Sequence, residues 1–358
     1  MRILIADRLR PYTHSLGARC LLPGTSLACE IFPTRISIWD LSKTLPKHLE
    51  DINIDLEGPV ADFTVLQELE KGHIDVFGQS QKGYFRYLIT GRSEGGLQVV
   101  VKKFPECSRK PEKELYCEHT SPKVSPIAFE NLSFGCSKAQ EWPAIRRRSN
   151  LQEILPFWYR LGLWSELPNL AYSKPIDAVG GAASLLAELE KHISDRNLVG
   201  MESGFQKLLS VGFEGMFSPR YEDGEHQGIL LPPVDVTSID SPLLLLSYGQ
   251  KLIRSMLISS SDSEIDILPA LLPELHCGRL LNVELPNVGR IDLEWSKKTI
   301  RRIAFHPSQT NHTLRFLFHK GISACRLQVA NKGIKQRYCS REPFDFICGK
   351  SYFFDNFT

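Results

Sequence analysis

The sequence contains no apolar run of the roughly 18 residues that a transmembrane helix needs. The nearest approach, residues 241–257, is broken by polar and charged side chains that include Lys251 and Arg254. The apolar patch at residues 3–6 is too short for a signal peptide and is closed by charged residues. We therefore expect a cytoplasmic protein without membrane insertion.

A metal or redox pattern is also missing among the nine cysteines, since none of them forms a Cys-x-x-Cys pair. Cys107, Cys117 and His119 lie close together in sequence, but no fourth ligand follows at a usual zinc spacing. No Gly-x-Gly-x-x-Gly or Walker-type phosphate loop follows a predicted strand. The sequence therefore predicts reduced thiols, no metal and no cofactor.

Neither sign of charge dominates. The 43 basic and 41 acidic residues leave a net charge of +2, so there is no electrostatic basis for a nucleic-acid partner. The hydrophobic fraction of 42% and the charged fraction of 23% are typical of globular proteins. Because 358 residues exceed what one hydrophobic core usually serves, two or three domains are expected.

Short β-rich runs and turn sequences alternate in the first third of the chain. Ile36 and Ile38 alternate with polar neighbours, as in a half-buried strand, and glycine-containing turns separate the later runs. This pattern predicts an N-terminal antiparallel β-sandwich over residues 1–105. Residues 106–126 are rich in Lys, Glu, Ser and Pro and are interpreted as a linker or exposed loop.

Helical patterns follow over residues 127–258. Asn150 begins an Asn-x-x-Glu sequence, an approximate capping box, before a helix with one apolar face. Further helices are predicted after Asp177, near residues 204–209, and from a Ser241–Pro242 start to Leu257.

Residues 259–358 return to strands, including a predicted hairpin over residues 290–305 that turns at 296–298. The C-terminal tail is too aromatic to remain in water and is expected to dock on a domain. The predicted fold class is multi-domain α+β, with the N-terminal sandwich, a short helical core and a C-terminal antiparallel β-domain.

One segment, residues 212–228, concentrates carboxylates, an Arg, a His, a Gln and aromatic residues between glycines. Such a polar, glycine-rich stretch indicates a loop, which either performs chemistry or only connects its neighbours.

Several features of residues 241–305 occur together: a Ser-Pro helix start, the string Glu-Ile-Asp-Ile-Leu-Pro-Ala-Leu at 264–271, a Cys-Gly step at 277–278, and a strand closing on Glu-Trp at 294–295. This combination resembles the last barrel helix and C-terminal domain of (α/α)6-barrel inverting glycoside hydrolases of the α-L-fucosidase type, family 95. The order of sandwich, helices and β-domain also resembles that architecture. The resemblance implies a glycan partner and inverting hydrolysis.

Inverting hydrolysis needs one protonated carboxyl and one ionised carboxylate. The catalytic candidates are Glu214, whose apolar neighbours favour the acid role, and Asp223 and Glu225, which suit the base role. The substrate-binding candidates share polar or aromatic side chains suited to sugars; they are Arg220, Tyr221, His226, Gln227 and Trp142. A structural hairpin or a sugar-contact loop without catalysis remains the alternative for this segment.

We therefore carry two hypotheses. The first is a carbohydrate-active protein with a smaller helical core than those hydrolases. This hypothesis includes both binding of an oligosaccharide or other glycan alone and its hydrolysis through paired carboxylates. The second is a non-catalytic scaffold or protein-interaction protein derived from such a fold. The second is favoured by helix number, since four helices are predicted over residues 151–258 whereas a six-hairpin barrel needs about twelve, each of order 11 residues.

Overall fold

The computed structural model describes residues 3–111, 113–115, 130–136, 138–165, 180–224, 228–234, 241–308, 312–319, 321–330 and 335–358. Buried apolar side chains from the N-terminal, middle and C-terminal parts of these ranges form one contiguous core. The three parts therefore pack directly against one another. No helix within the described ranges combines the length and the apolar character that crossing a membrane requires.

The N-terminal part contains ten strands: β1 (Tyr12–Thr13), β2 (Ala18–Leu21), β3 (Leu27–Phe32), β4 (Arg35–Asp40), β5 (Lys47–Asn53), β6 (Ala61–Glu68), β7 (His73–Ser80), β8 (Gly83–Gly91), β9 (Leu97–Lys103) and β10 (Lys113–Leu115). They form two antiparallel sheets, ordered β1-β6-β7-β8-β9-β10 and β2-β3-β4-β5. Across the interface between the sheets, Gln67 Nε2 donates to the backbone oxygen of Leu21 at 2.6 Å. The predicted N-terminal antiparallel β-architecture is confirmed.

Three strands of this part, β1, β5 and β10, were not predicted. Strand β5 is a polar sheet edge in which Ile52 is the only fully buried residue. Strand β10 lies inside the predicted linker and pairs with β9, so residues 113–115 extend the sheet. Most of the remaining predicted linker, residues 116–126, lies outside the described residues.

The middle part begins with β11 (Asn131–Ser133) and then contains α1 (Trp142–Arg148), α2 (Leu151–Trp164), α3 (Ser184–Ser194), α4 (Leu198–Val211), the two-residue strands β12 (Phe213–Glu214) and β13 (Ser218–Pro219), and α5 (Leu244–Leu257). Asn150 caps α2 as predicted, since its Oδ1 accepts from Gln152 N at 2.9 Å. Helix α5 begins at Leu244 because Pro242 and Leu243 form a turn first. The predicted helix start after Asp177 lies outside the described residues.

The described C-terminal part contains ten strands: β14 (Ile258–Ser260), β15 (Glu264–Ile267), β16 (Cys277–Leu285), β17 (Gly289–Ser296), β18 (Thr299–Pro307), β19 (His312–Phe318), β20 (Ala324–Val329), β21 (Lys335–Cys339), β22 (Pro343–Phe346) and β23 (Tyr352–Asp355). They build two sheets, β11-β16-β17-β18-β23-β20-β21 and β14-β15-β19-β22. All pairs are antiparallel except β15 with β19.

The aromatic tail docks as predicted, because Tyr352 and Phe354 of β23 are buried in the C-terminal core. The β17–β18 hairpin also forms as predicted. Lys297 and Lys298 at its tip both have positive φ, the backbone twist that a two-residue hairpin turn favours.

Candidate functional site

The acidic segment identified in the sequence is a small hairpin docked on the N-terminal sandwich. Strands β12 and β13 pair with each other, and Met216 N donates to Arg19 O at 2.8 Å. Gly215 has a φ of +50°, and a Cβ at this position would lie 2.1 Å from Arg19 O. Only glycine permits so close an approach, so this hairpin is a structural joint between the helices and strand β2.

Glu214 is bound by two guanidinium groups. Arg19 Nη1 donates to its Oε1, and Arg220 Nη1 lies 3.7 Å from its Oε2. Arg220 is itself fixed, because its Nε donates to Val211 O at 3.1 Å. This carboxylate therefore has a structural function, and its role as a catalytic acid stays a prediction.

The aromatic rings expected to stack on a sugar lie inside the core. Trp142, Phe217 and Tyr221 are exposed by only 4%, 1% and 3%. Trp142 and Phe217 stand 4.7 Å apart between ring centroids, and Tyr221 donates its hydroxyl to Ser241 O at 2.8 Å. These rings thus offer no exposed platform to a ligand.

Asp223 is half-buried beside this hairpin, and Gly224 is the last described residue before the gap at 225–227. The remaining candidates of the loop, Glu225, His226 and Gln227, lie outside the described residues.

A larger site candidate is a cleft between the N-terminal sandwich and the C-terminal sheet, with a volume of about 1070 Å³. One wall is the extended segment of residues 3–10, the second is the end of β6 with Glu68, Glu70 and Lys71, and the third is the polar face of β16, β17, β18 and β23. Ligand sites commonly lie at such junctions, and the volume lies just above the usual range for small-molecule pockets.

Hydrogen bonds hold the N-terminal wall in place. Gln140 Nε2 donates to Arg8 O at 2.8 Å, and its Oε1 accepts from Arg10 N. Asp7 accepts from the Ser133 hydroxyl. Leu69, the residue after β6, donates its backbone N–H to Leu9 O at 3.1 Å. This bond holds the N-terminal segment alongside the end of β6. The wall is therefore tied to both neighbouring parts of the protein.

Glu68 closes the base of this wall. Arg10 Nε lies 2.5 Å from its Oε2, and the Glu68 side chain is only 6% exposed. Its Oε1 is buried and accepts no hydrogen bond from any described residue. Burying a carboxylate oxygen without a hydrogen-bond donor costs free energy of folding. Glu68 Oε1 is one of several such buried polar atoms in the described part of the chain.

The floor of the cleft is formed by the C-terminal sheet. Asp292 of β17 accepts from Asn282 N at 2.8 Å and so holds the irregularity in β16, where Asn282 has positive φ. Arg290 stands opposite His306 in the register of β17 and β18. Phe353 of β23 stands opposite Ala304 and presents a half-buried ring.

The floor also contains the imidazole of His306, whose pKa depends on burial and on neighbouring charges. Burial lowers the pKa of His306 below 6.5, and Arg290 acts in the same direction against a smaller opposing effect of Asp292. His306 Nδ1 also lies 2.8 Å from Ser351 Oγ. At neutral pH this imidazole is uncharged and can both donate and accept a hydrogen bond.

The cleft therefore combines carboxylates, amides, guanidinium groups, a neutral imidazole and one aromatic ring. Carboxylates and amides accept from hydroxyls, while amides and guanidinium groups donate to them. Within the described ranges, no group of three or more His, Cys, Asp and Glu side chains is arranged to hold a metal ion. The arrangement suits recognition of a polar, uncharged ligand rich in hydroxyl groups.

The sequence contained one signal of this site: Arg290 and Asp292 occupy the polar face of a strand whose other face is core. The sequence does not show that residues 3–10 cross over this face. In comparisons with known proteins, no family model and no curated protein matches this chain.

Proposed function

We propose that this protein binds a glycan in the cleft between its two β-parts. The observation that carries the proposal is the composition of the cleft, in which hydrogen-bonding side chains of several kinds surround the half-buried ring of Phe353. A sugar presents hydroxyls around its edge and C–H groups on its faces, so it matches polar walls and an aromatic surface together.

The volume supports an oligosaccharide in preference to a single sugar. At about 1070 Å³, the cleft exceeds what a drug-sized ligand usually occupies. The resemblance of residues 241–305 to the C-terminal part of glycan hydrolases points to the same class of ligand. The proposal is limited to binding, because the acidic hairpin is a structural joint and does not line this cleft.

Isothermal titration calorimetry against a panel of neutral oligosaccharides tests the proposal. We expect Phe353→Ala and Arg290→Ala each to weaken binding at least tenfold, since each removes a group from the floor. The matched controls are Tyr84→Ala and Arg337→Ala, which change side chains on β8 and β21 that do not line the cleft. These controls should bind like the unmodified protein.

Two outcomes would overturn the proposal. If no oligosaccharide binds, the non-catalytic scaffold becomes the better hypothesis, in agreement with the small number of helices. If binding occurs but is insensitive to Phe353→Ala and Arg290→Ala, the glycan site lies elsewhere. Release of reducing sugar, measured in parallel, shows whether a bound glycan is also cleaved.

A further inference from the structure

A second, smaller cavity opens beside the cleft. Both are lined by Ile5, Asp7, Glu70 and Asn131, so the two spaces share a wall and a rim. The cavity measures about 40 Å³. A single water needs of order 10–15 Å³ by the same measure, so the cavity has room for about three non-hydrogen atoms.

About half of the residues that line the cavity are apolar, and the others include Ser133, Lys138 and Glu153. Its walls include the buried side chains Leu132, Phe134, Ile145 and Phe157, none of them more than 4% exposed. Strand β11 and helices α1 and α2 supply these residues, and all three elements belong to the continuous core. Against these apolar side chains a methyl group is favoured over a hydroxyl, which would lose its hydrogen bonds there.

The rim is polar and carries charges of both signs. The carboxylates of Asp7 and Glu70 stand at the boundary with the cleft. Arg160 is buried, donates to Asn131 Oδ1 and lies 3.5 Å from Glu70 Oε2. The rim carboxylates can accept a hydrogen bond from an amide N–H.

We propose that the small cavity is a subsite for an acetamido group, so that the preferred glycan carries an N-acetylated amino sugar. The methyl group contacts the apolar side chains of the cavity, and the amide N–H faces the rim carboxylates while the sugar ring stays in the cleft. This inference rests on the proposed glycan binding and narrows its substrate class.

Matched pairs of sugars that differ only in the 2-acetamido group test the subsite by calorimetry: N-acetylchitotriose with cellotriose, and N-acetylgalactosamine and N-acetylmannosamine with galactose and mannose. We expect the acetylated member of at least one pair to bind about 10-fold or more tightly, from burial of a methyl group and one charge-assisted hydrogen bond.

A variant that closes the cavity provides a second test of the subsite. Ala139 is exposed and lines the cavity, so Ala139→Leu reduces its volume without enlarging a core side chain. This change should remove the preference for the acetylated sugar and leave binding of its partner unchanged. Ala61→Leu, at an exposed position on β6 that lines neither space, is the control.

The outcomes separate the two proposals. Equal affinities within every pair, or a preference that survives Ala139→Leu, would overturn the acetamido subsite while glycan binding stands. No binding of any sugar, acetylated or not, would overturn both. A preference that disappears in Ala139→Leu and persists in Ala61→Leu supports the subsite.

Discussion

The indole of Trp158 in α2 lies directly against Gly249 in α5: a Cβ built on Gly249 would stand 2.5 Å from Trp158 Nε1. The same indole nitrogen donates to Leu245 O at 3.0 Å. Gly162 makes the reciprocal approach, since its Cβ would lie 2.6 Å from Leu246 O. The two helices therefore cross at a distance that only glycine allows.

Replacing Gly249 with Ala should destabilise the protein. The added methyl collides with the buried indole, and overpacking of this kind costs about 1–3 kcal/mol, partly offset by about 1 kcal/mol from the better helix propensity of Ala. Urea unfolding should show a net loss of up to about 2 kcal/mol.

Gly204→Ala in α4 is the matched control. Its Cβ would meet only the end of the Leu189 side chain, at 3.1 Å, which can move. This variant should be as stable as the unmodified protein or slightly more stable. Equal losses in Gly249→Ala and Gly204→Ala would contradict the close crossing.

Glu214→Gln should reduce stability and leave glycan binding unchanged. The substitution removes the negative charge that pairs with Arg19 and Arg220, so we expect a loss of about 1–2 kcal/mol on thermal or urea unfolding, because the site is partly exposed. Glu222→Gln, at an exposed position in the same segment, should have no effect on stability. A loss of glycan affinity or of sugar release without a loss of stability would restore the catalytic interpretation of Glu214.

The pH dependence of stability should contain a contribution from His306. Its pKa is lowered in the folded protein by burial and by Arg290, so the unfolded chain binds the proton more readily. As the pH falls below about 6.5, protonation of the unfolded state therefore reduces the free energy of unfolding.

Urea unfolding of the unmodified protein and of His306→Gln at several pH values between about 7 and 5 measures this contribution. The unmodified protein should lose more stability than the variant as the pH decreases. The variant serves as the internal reference, because the other titrating groups are the same in both proteins. Asp266, whose pKa is raised by burial, is one of these groups and changes stability in the opposite direction in both proteins. Parallel curves would show that His306 protonates equally easily in both states.

Local patterns were sufficient to predict much of the β-structure. In β17 the alternation of Ile291, Leu293 and Trp295 with polar residues gave both the strand and its buried face, and these three side chains are at most 1% exposed. Strand β5 was not predicted, because an edge strand with little buried surface has no apolar alternation. Helix α1 was missed for a similar reason: it spans seven residues and buries only Trp142 and Ile145.

The cleft could not be predicted, because its walls come from segments that are distant in sequence. Residues 3–10 carry no periodicity, and nothing in them indicates that they lie over the sheet that contains Arg290 and His306. The acidic segment shows the opposite limit of local patterns. Its local composition is distinctive, yet Phe213 and Phe217 flank Glu214 because they anchor the hairpin in the core.

The pair of Arg10 and Glu68 allows the N-terminal wall of the cleft to be tested by a double-mutant cycle. Arg10→Met leaves Glu68 buried without its partner, so we expect a loss of about 2–3 kcal/mol in the free energy of unfolding, below the cost for a fully buried pair because Arg10 is 36% exposed. Adding Glu68→Leu removes the orphaned carboxylate, including the oxygen that has no donor among the described residues. The double variant should therefore be more stable than Arg10→Met alone. If the second substitution instead adds a further loss, Glu68 is stabilised by groups other than Arg10, and the wall does not depend on this ion pair.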